Sequence, residues 1–486
     1  MLNLIPYPQK ADLTDTLLTF PANVLVTKAS RRPFHTLRDF ARRVHNLEFH
    51  AVRDEGLTAV RFAADASLAA DAYTLTVDAS GVTITASGEA GWQNGVSTLI
   101  QLMTPVGGSR FSVPAGRIED APDCSWRGVM IDLARDWHPF PFLLEYVDLC
   151  RFYKIRTLHL HFTDDQSYTL PSRAFPKLPT EGRSYTEREI RFLCAYAKLR
   201  GVEIMPEIDV PGHCTSFINA YGEIFGTNGI ISQSETSMAC MEALFRELCG
   251  MFPDSPYIHI GGDEAAIEKW TRDETCLDAY RARGVKVDDI LAEENGHRKL
   301  SEIMLATFIR RMANAVLSCG KTPVVWEGFG AEVNDIIPPE TVVISWENFY
   351  QVTPSLQKAG FRLLNCSWSP LYVVTPVVYW KPEDVYNWNV YTWRPVHPGS
   401  PYAGGSLTIE PTMQVEGGQL LAWGDQIAAK YENVTEGVRE EQRLVEERTP
   451  ALAENLWHRE KISDWNEFSA RMTAVAALYG QFRSSK

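Results

Sequence analysis

Two adjacent carboxylates, Asp263 and Glu264, are the residues of this chain whose types and spacing most directly offer acid–base chemistry. They follow a short apolar run at 257–260 and two glycines. Such a run predicts a parallel strand buried on both faces, and glycines permit positive φ angles and close approach by a ligand. The pattern at 265–270 is helical. The two acids therefore either form a site at the carboxyl end of a strand or simply cap a helix.

Acids, histidines and tryptophans recur at the ends of seven predicted strands. In chain order they are Asp132 and Arg135; His159, His161, Asp164 and Asp165; Glu207, Asp209 and His213; His259, Asp263 and Glu264; Trp326 and Glu327; Trp346 and Glu347; and Trp423 and Asp425. Any one of them can be a capping or packing group. Because carboxyl ends of parallel strands meet at one edge of a sheet, the whole set predicts a single site there.

The elements that must position these residues alternate between strand and helix from residue 126 onward. The candidate strands are 126–133, 156–162, 202–208, 257–261, 322–327, 341–346, 361–366 and 418–423, and amphipathic helical stretches include 140–153, 187–199, 299–318, 351–359 and 437–456. Eight strands in such an alternation predict an α/β fold with a closed (β/α)8 TIM barrel. No Gly-x-Gly-x-x-Gly follows the first strand, which argues against a dinucleotide-binding sheet.

Residues 1–118 have a different pattern. Alternating segments at 72–77 and 81–86 flank an Asp-Ala-Ser-Gly turn and predict a β-hairpin, while 34–46 and 89–104 have helical spacing. We predict a small α+β accessory domain over 1–118 and a catalytic barrel over 119–486. Two long loops, 265–297 and 367–416, interrupt the barrel where such folds build specificity.

Composition narrows the partners and the compartment. The net charge of −14 argues against a nucleic-acid partner and an anionic membrane surface, and no apolar run approaches 18 residues. Thirteen tryptophans and eighteen tyrosines supply the flat rings that sugar-binding clefts use, as do large cores. Nine scattered cysteines without a CxxC predict free thiols in a reducing compartment. The start of the chain has no signal-peptide pattern, so we expect a cytoplasmic protein, or a secreted one if a leader was trimmed.

The motifs resemble glycoside hydrolase family 20, the β-N-acetylhexosaminidases. The resemblance rests on Arg127-Gly128 with Asp132 and Arg135, His161-Phe-Thr-Asp-Asp-Gln166, Pro206-Glu-Ile-Asp-Val-Pro-Gly-His213, His259-Ile-Gly-Gly-Asp-Glu264, Trp326-Glu327, Gly418-Gln419 with Trp423, and Ala453-Glu454 with Trp457. It covers the whole barrel. The segment Ile5-Pro-Tyr-Pro-Gln9 resembles the start of the family's accessory domain.

The resemblance implies a retaining exo-β-N-acetylhexosaminidase acting on terminal β-linked GlcNAc or GalNAc of an oligosaccharide or glycoconjugate. In this substrate-assisted mechanism, the substrate's own acetamido oxygen attacks the anomeric carbon and forms an oxazolinium ion. Glu264 would be the general acid, and Asp263 would orient the acetamido group and stabilise its developing charge. Adjacent carboxylates disfavour each other's ionisation, so we expect one raised pKa, as the acid requires, beside a charged neighbour. No metal or cofactor is expected.

The same resemblance implies further roles. Arg135 would bind the 3- and 4-hydroxyls of the sugar, and Asp425 the 4- and 6-hydroxyls. The acetamido pocket would be lined by Trp326, Trp346 and Trp423. Tyr372 would donate a hydrogen bond to the acetamido oxygen, with Tyr379 and Tyr386 as alternatives in the same loop. The position and the pKa of Glu264 would be set by Asp164, Asp165, His161 and His213.

Two departures from the family pattern fall on the hydroxyl-reading side of the site. Val374 stands where the family commonly has Asp, and Asp425 is one methylene shorter than the usual Glu. We expect these changes to loosen or shift the choice between GlcNAc and GalNAc, or to admit a 6-substituted sugar.

Two other functions are compatible with parts of the pattern. The first is a metal-dependent, amidohydrolase-like barrel enzyme, since His159, His161, His213, His259 and Asp263 resemble zinc ligands in composition. However, the His-x-His lies on the second strand rather than the first. The second is a non-catalytic sugar-binding homologue, which would be expected to lose its Asp-Glu pair. The 367–416 loop is long enough to reach a neighbouring subunit, so we expect that a homodimer can form.

Overall fold

The computed structural model describes residues 2–374 and 380–484, which begin with a mixed α+β unit. Its strands are β1 (Lys10–Pro21), β2 (Asn23–Leu25), β3 (His50–Val52), β4 (Val60–Ala64), β5 (Tyr73–Asp78), β6 (Gly81–Ala86), β7 (Thr104–Gly107) and β8 (Arg110–Asp120), and its helices are α1 (Arg31–His45) and α2 (Glu89–Leu102). The sheet order is β1-β8-β5-β6-β4-β2-β3, with β7 beside β8. The predicted hairpin is confirmed: β5 and β6 are antiparallel, and Gly81 turns the chain with a φ of 131°.

Eight parallel strands form the closed barrel that the sequence predicts. They are β9 (Trp126–Asp132), β10 (Thr157–His161), β11 (Glu203–Val210), β12 (Tyr257–Gly261), β13 (Thr322–Trp326), β14 (Val342–Ser345), β15 (Arg362–Asn365) and β16 (Val415–Ala422). Neighbours in the chain are neighbours in the sheet, and β16 pairs with both β15 and β9, which closes the ring. All residues of β9 and β10 are buried, because side chains fill the barrel on one face and helices cover the other.

Helices surround the barrel or follow its strands. They are α3 (Phe140–Phe152), α4 (Glu187–Arg200), α5 (Thr215–Phe225), α6 (Glu235–Met251), α7 (Glu274–Ala282), α8 (Val287–Leu291), α9 (Gly296–Ser318), α10 (Thr353–Lys358), α11 (Asp425–Lys430), α12 (Val434–Trp457) and α13 (Trp465–Ser484). Local sequence explains their ends: Thr186 and Glu189 form a capping box before α4, and Gly201 ends that helix in the left-handed region. No helix within the described ranges has the length and apolar character to cross a membrane.

The segment after Glu264 differs from the sequence expectation. In place of a helix beginning at residue 265, the chain forms a short 3₁₀ helix at Ile267–Arg272. The two acids therefore do not cap an α-helix. The other long loop contains short helices at Trp368–Leu371 and Pro382–Tyr386, and short strands at Tyr372–Val373, Thr392–Trp393 and Leu407–Thr408.

Candidate active site

A cavity of about 240 Å³ lies at the carboxyl ends of the barrel strands. Twelve residues line it: Arg135, Asp209, His213, Asp263, Glu264, Trp326, Trp346, Trp368, Tyr372, Val374, Trp423 and Asp425. Nine of them are predicted site residues: eight come from six different strand ends, and Tyr372 comes from the 367–416 loop. The convergence that the spacing predicts is therefore present in the structure.

The backbone after β12 places the two acids in different environments. Gly261 and Gly262 have φ angles of 84° and 109°, and a Cβ on Gly261 would lie 1.9 Å from a carboxylate oxygen of Asp209. Only glycine tolerates such a close approach at positive φ. Glu264 also has a positive φ of 47°, a costly conformation for a non-glycine residue that is characteristic of functional sites. As a result Asp263 is 9% exposed, whereas the Glu264 side chain is 52% exposed.

The ring of His213 lies close to three carboxylates. Its Nε2 is 3.6 Å from Oε2 of Glu264 and 3.9 Å from Oδ2 of Asp209, and its Nδ1 is 3.3 Å from Oδ1 of Asp164. Burial lowers the pKa of His213, but these three carboxylates outweigh burial and raise it above its ordinary value. His213 is therefore a cation that holds Glu264 in place.

The pKa values of the two acids are perturbed in the opposite sense to the one expected. Burial, and then the negative charge of Asp209, raise the pKa of Asp263 well above its ordinary value. The hydrogen bond from His213 outweighs partial burial and lowers the pKa of Glu264. The buried Asp263 therefore holds a proton more readily than the exposed Glu264, because desolvation penalises the charged form.

Asp209 is a site residue that the sequence analysis named at a strand end but gave no role. It is 2% exposed, and burial raises its pKa from 3.8 to about 7. Oδ1 of Asp209 and Oδ1 of Asp263 are both buried without a hydrogen-bond partner among the described residues. The signal was present in the sequence, since Asp209 lies two residues after Glu207 and so points to the same side of the strand.

Arg135 is held from two sides. Its Nη1 donates to Asp132 at 3.2 Å, its Nη2 lies 2.6 Å from Asp164, and its guanidinium lies 5.0 Å from the ring centre of Trp423. Because the neighbouring carboxylates and the ring fix the planar fork, its remaining donors face the cavity in one orientation.

Four of the aromatic rings on the cavity wall were predicted, and one was missed. Tyr372 stacks on Trp346 at 6.3 Å and lies 6.2 Å from Trp423, which in turn lies 5.9 Å from Trp326. The missed residue is Trp368, which stacks on Tyr372 at 5.2 Å. It lies in the long 367–416 loop, where neither periodicity nor a strand end identified it. Burial raises the pKa of Tyr372 well above 10, so its hydroxyl remains a neutral donor.

Two buried glutamates accept hydrogen bonds that hold the aromatic wall in place. Oε2 of Glu207 lies 3.0 Å from His159 and 2.6 Å from His161, and its Oε1 accepts from Trp326 Nε1 at 2.6 Å. Glu327 accepts backbone N–H bonds from Trp346, Asn348, Phe349 and Tyr350 and thereby shapes the loop that carries Trp346. These contacts fix the rings before any ligand arrives.

The remaining predicted site residues have different outcomes. The His161 Nε2–H donates to Asp164 at 3.0 Å, and Asp164 in turn contacts His213. Asp165 lies outside the cavity and accepts from the Thr215 N–H and hydroxyl at the start of α5. Tyr386 is also elsewhere, since its ring stacks on Phe468 at 4.2 Å. The alternative Tyr379 lies outside the described residues.

The residues suggested for a metal are engaged with one another. His159, Glu207 and His259 offer ligand atoms within 4.8 Å of each other, as metal sites do. However, Glu207 lies between the two imidazoles, with 3.0 Å to each ring. Burial would raise the pKa of Glu207, but the histidines hold it well below its ordinary value. Glu207 thus already engages both imidazoles in a carboxylate–histidine network, in which Nε2 of His259 is left without a hydrogen-bond partner among the described residues. A donor set whose carboxylate is engaged in this way fits a metal poorly.

Two family models match the chain. "Glycosyl hydrolase family 20, catalytic domain" matches residues 124–460, and "Glycosyl hydrolase family 20, domain 2" matches residues 1–121.

Relatives and solved structures agree with these matches. The "Beta-hexosaminidase" of Akkermansia muciniphila is 32% identical over 344 residues, which are 64% of this chain and 66% of that protein. The human "Beta-hexosaminidase subunit beta" is 26% identical over 424 residues, 83% of this chain and 69% of that protein. The X-ray structure of Flavobacterium johnsoniae chitobiase superposes with a TM-score of 0.76 at 26% identity, covering 99% of this chain and 73% of that one. The chain thus spans about two thirds of the length of these two curated relatives.

Proposed function

Since the chain belongs to glycosyl hydrolase family 20 and is a glycoside hydrolase, we propose that it is a retaining exo-β-N-acetylhexosaminidase that removes terminal β-linked GlcNAc or GalNAc from glycans. One observation carries the proposal. Two consecutive acids enter one cavity in unlike environments: one is buried, with an oxygen that has no hydrogen-bond partner in the described part of the chain, and the other is half exposed beside a cationic histidine.

Glu264 is suited to move the proton. In the first step the acetamido carbonyl oxygen of the substrate forms a bond to the anomeric carbon while the bond to the leaving oxygen breaks. Glu264 gives its proton to that oxygen, and an oxazolinium ion remains. In the second step a water molecule loses a proton to Glu264 and attacks the same carbon, which reopens the ring. Two inversions give net retention.

Asp263 is suited to hold the substrate's own nucleophile. Its Oδ1 is buried and lacks a hydrogen-bond partner among the described residues, so it can accept a hydrogen bond from the acetamido N–H. The ionised carboxylate then stabilises the positive charge that develops on the acetamido group. Side-chain oxygen atoms of Asp263 and Glu264 and a ring nitrogen of His213 lie within 4.8 Å of one another. The two carboxyl groups are therefore closer together than the separation of about 6.5–9.5 Å found between the two catalytic carboxyl groups of inverting enzymes.

Substrate binding supplies the protonation states that the reaction needs. The sugar excludes water from Glu264, which raises its pKa, while the acetamido N–H donates to Asp263 and lowers the pKa of that carboxyl. The two acids form a coupled pair, so the proton moves from Asp263 to Glu264 as the site fills. The order of the two pKa values set by the protein alone is thus compatible with the proposed roles.

The rest of the cavity supports recognition of a single terminal sugar. Trp346, Trp368 and Trp423 offer apolar faces to the ring, and the fork of Arg135 offers donors to its 3- and 4-hydroxyls. Val374 and Asp425 both line the cavity. The apolar side chain of Val374 and the short, exposed carboxylate of Asp425 favour a site that is less selective for the hydroxyls at the 4- and 6-positions of the sugar. We therefore expect the site to accept both GlcNAc and GalNAc.

Hydrolysis of a nitrophenyl glycoside panel tests the function. We expect turnover of the GlcNAc and GalNAc glycosides, and very slow turnover of the glucoside, which lacks the acetamido nucleophile. Equal rates with the glucoside would indicate a double displacement on Asp263 instead.

Asp263→Asn tests the mechanism directly. It should lower kcat by about 10²- to 10³-fold, the usual effect of losing one preorganised electrostatic group, and weaken binding of an oxazoline-like thiazoline inhibitor. Exposed Asp335→Asn serves as the matched control. Unchanged inhibition of the Asp263 variant would remove the substrate-assisted mechanism.

A further inference from the structure

A second cavity, also of about 240 Å³, lies at the amino ends of the barrel strands, where the N-terminal sheet unit packs on the barrel. It is lined by residues at the starts of β9, β10, β11 and β12, by the ends of α3 and α4, and by the first turns of α2. The candidate active site lies at the opposite ends of the same strands. Phe252, Ile204 and Val202 make part of the wall apolar.

The charged residues on this wall are mostly paired. Six cationic side chains line it against four carboxylates. The pairs are Arg32 with Glu89 at 2.5 Å, Lys198 with Asp254 at 2.5 Å, and Arg156 with Asp71 at 2.8 Å and with Glu203 at 2.9 Å. Lys154 pairs with Asp120 at 3.0 Å, outside the lining, and Arg127 lies 3.7 Å from Asp71. One cation, Arg151, remains.

Arg151 is a buried guanidinium whose hydrogen-bond partners are neutral. It is 3% exposed, its Nε donates to the Ser97 hydroxyl at 3.1 Å, and its Nη2 donates to the Asn94 carbonyl at 2.6 Å. Among residues 2–374 and 380–484, no carboxylate lies within ion-pair distance of it. Burial, and then the like charge of Arg127, lower the pKa of Arg151 to about 9. A buried charge without a counter-ion is unfavourable, and proteins ordinarily pair it.

We propose that this cavity binds a small organic anion whose carboxylate or phosphate oxygens pair with Arg151, while its apolar part lies against Phe252 and Ile204. The anion supplies the counter-charge that Arg151 does not find among the described residues. Arg127, also on the wall and itself only 1% exposed, adds a second positive charge on the same side. A planar fork of donors suits both kinds of oxyanion.

Thermal unfolding in the presence of simple anions tests the proposal. The probes are inorganic phosphate and butyrate, titrated at constant ionic strength with chloride. The candidate active site is saturated with the thiazoline inhibitor, so that Arg135 cannot contribute. Because a ligand that binds only the folded state raises its stability, we expect a saturable rise in Tm. A response to phosphate alone assigns a phosphorylated ligand, a response to butyrate alone assigns a carboxylate, and a response to both assigns their shared oxyanion chemistry.

Two variants test whether the rise in Tm comes from anion binding in this cavity. Arg151→Met removes the charge, and Ala90→Phe fills the cavity from a half-exposed position without changing any charge. We expect the dissociation constant to rise at least about tenfold in each, a loss of about 1.4 kcal/mol. Exposed Arg188→Met, on α4, should respond as the unmodified protein does.

Variants that still hydrolyse glycosides are folded. If Arg151→Met does not fold, the result with Ala90→Phe decides whether the anion binds in this cavity. The proposal is overturned by the absence of a saturable rise with either anion. It is equally overturned by an unchanged dissociation constant in either folded cavity variant.

Discussion

Replacing Asp209 with asparagine should make the protein more stable at neutral pH and change its stability much less in acid. Asp209 is buried in the active-site cavity, with Oδ2 3.9 Å from His213 and Oδ1 without a partner among the described residues. Burial raises its pKa from 3.8 to about 7. Between these two values the folded protein binds a proton that the unfolded chain releases, so the stability contributed by this group is lost as the pH rises toward 7.

The magnitude follows from the pKa difference. A rise from 3.8 to about 7 corresponds to about 4 kcal/mol, because each pKa unit is worth 1.36 kcal/mol. Nearly all of that penalty is present at pH 7.5, but only about 2 kcal/mol of it at pH 5.0. Asparagine has nearly the same shape and no charge. The stability gain of Asp209→Asn should therefore be larger at pH 7.5 than at pH 5.0 by about 2 to 3 kcal/mol.

Urea unfolding followed by tryptophan fluorescence at both pH values measures this difference, with Asp335→Asn as the exposed control. The reasoning is refuted if the variant gains the same stability at both pH values or loses stability at pH 7.5. The same change removes a negative charge that raises the pKa of Asp263. The acidic limb of the kcat/KM profile should therefore move to lower pH.

Three further outcomes are expected. Glu264→Gln should lower kcat by about 10²- to 10⁴-fold for glycosides with poor leaving groups, but far less for dinitrophenyl glycosides, whose leaving group needs no protonation. Exposed Glu340→Gln is the control, and an equal loss of kcat with both classes of glycoside would mean that the general acid is another residue. Glu207→Gln should lower the urea-derived free energy of unfolding by about 3–5 kcal/mol, because it leaves buried histidines without their charged partner; a smaller loss would mean that the histidines find other partners. Val374→Asp should change the GlcNAc-to-GalNAc ratio of kcat/KM by at least about tenfold, since a hydrogen bond to a charged group is worth about 1.5–3 kcal/mol and about 1.4 kcal/mol is a factor of ten; an unchanged ratio would place the discrimination elsewhere.

The barrel and the identity of its catalytic pair could be predicted from the sequence because both depend on short-range patterns. Strands covered on both faces must be apolar throughout, so the eight strands stood out with ends within a few residues of those observed. His259-Ile-Gly-Gly-Asp-Glu264 is likewise local: the positive φ angles of Gly261 and Gly262 follow from their lack of a side chain. The helix expected after Glu264 was wrong because tertiary contacts override propensity in such a loop.

Only the tertiary structure decided which groups share an environment. The pKa order of Asp263 and Glu264 depends on the depth of burial and on His213 and Asp209, which lie some fifty residues away in the chain. Trp368 joins the aromatic wall from a loop without regular pattern, and the absence of a counter-ion for Arg151 among residues 2–374 and 380–484 is visible only once two domains are packed around it. Residue type and spacing determine which chemistry a chain can offer. Dielectric environment and through-space contact determine which groups are charged, and these arise only when distant segments exclude water together.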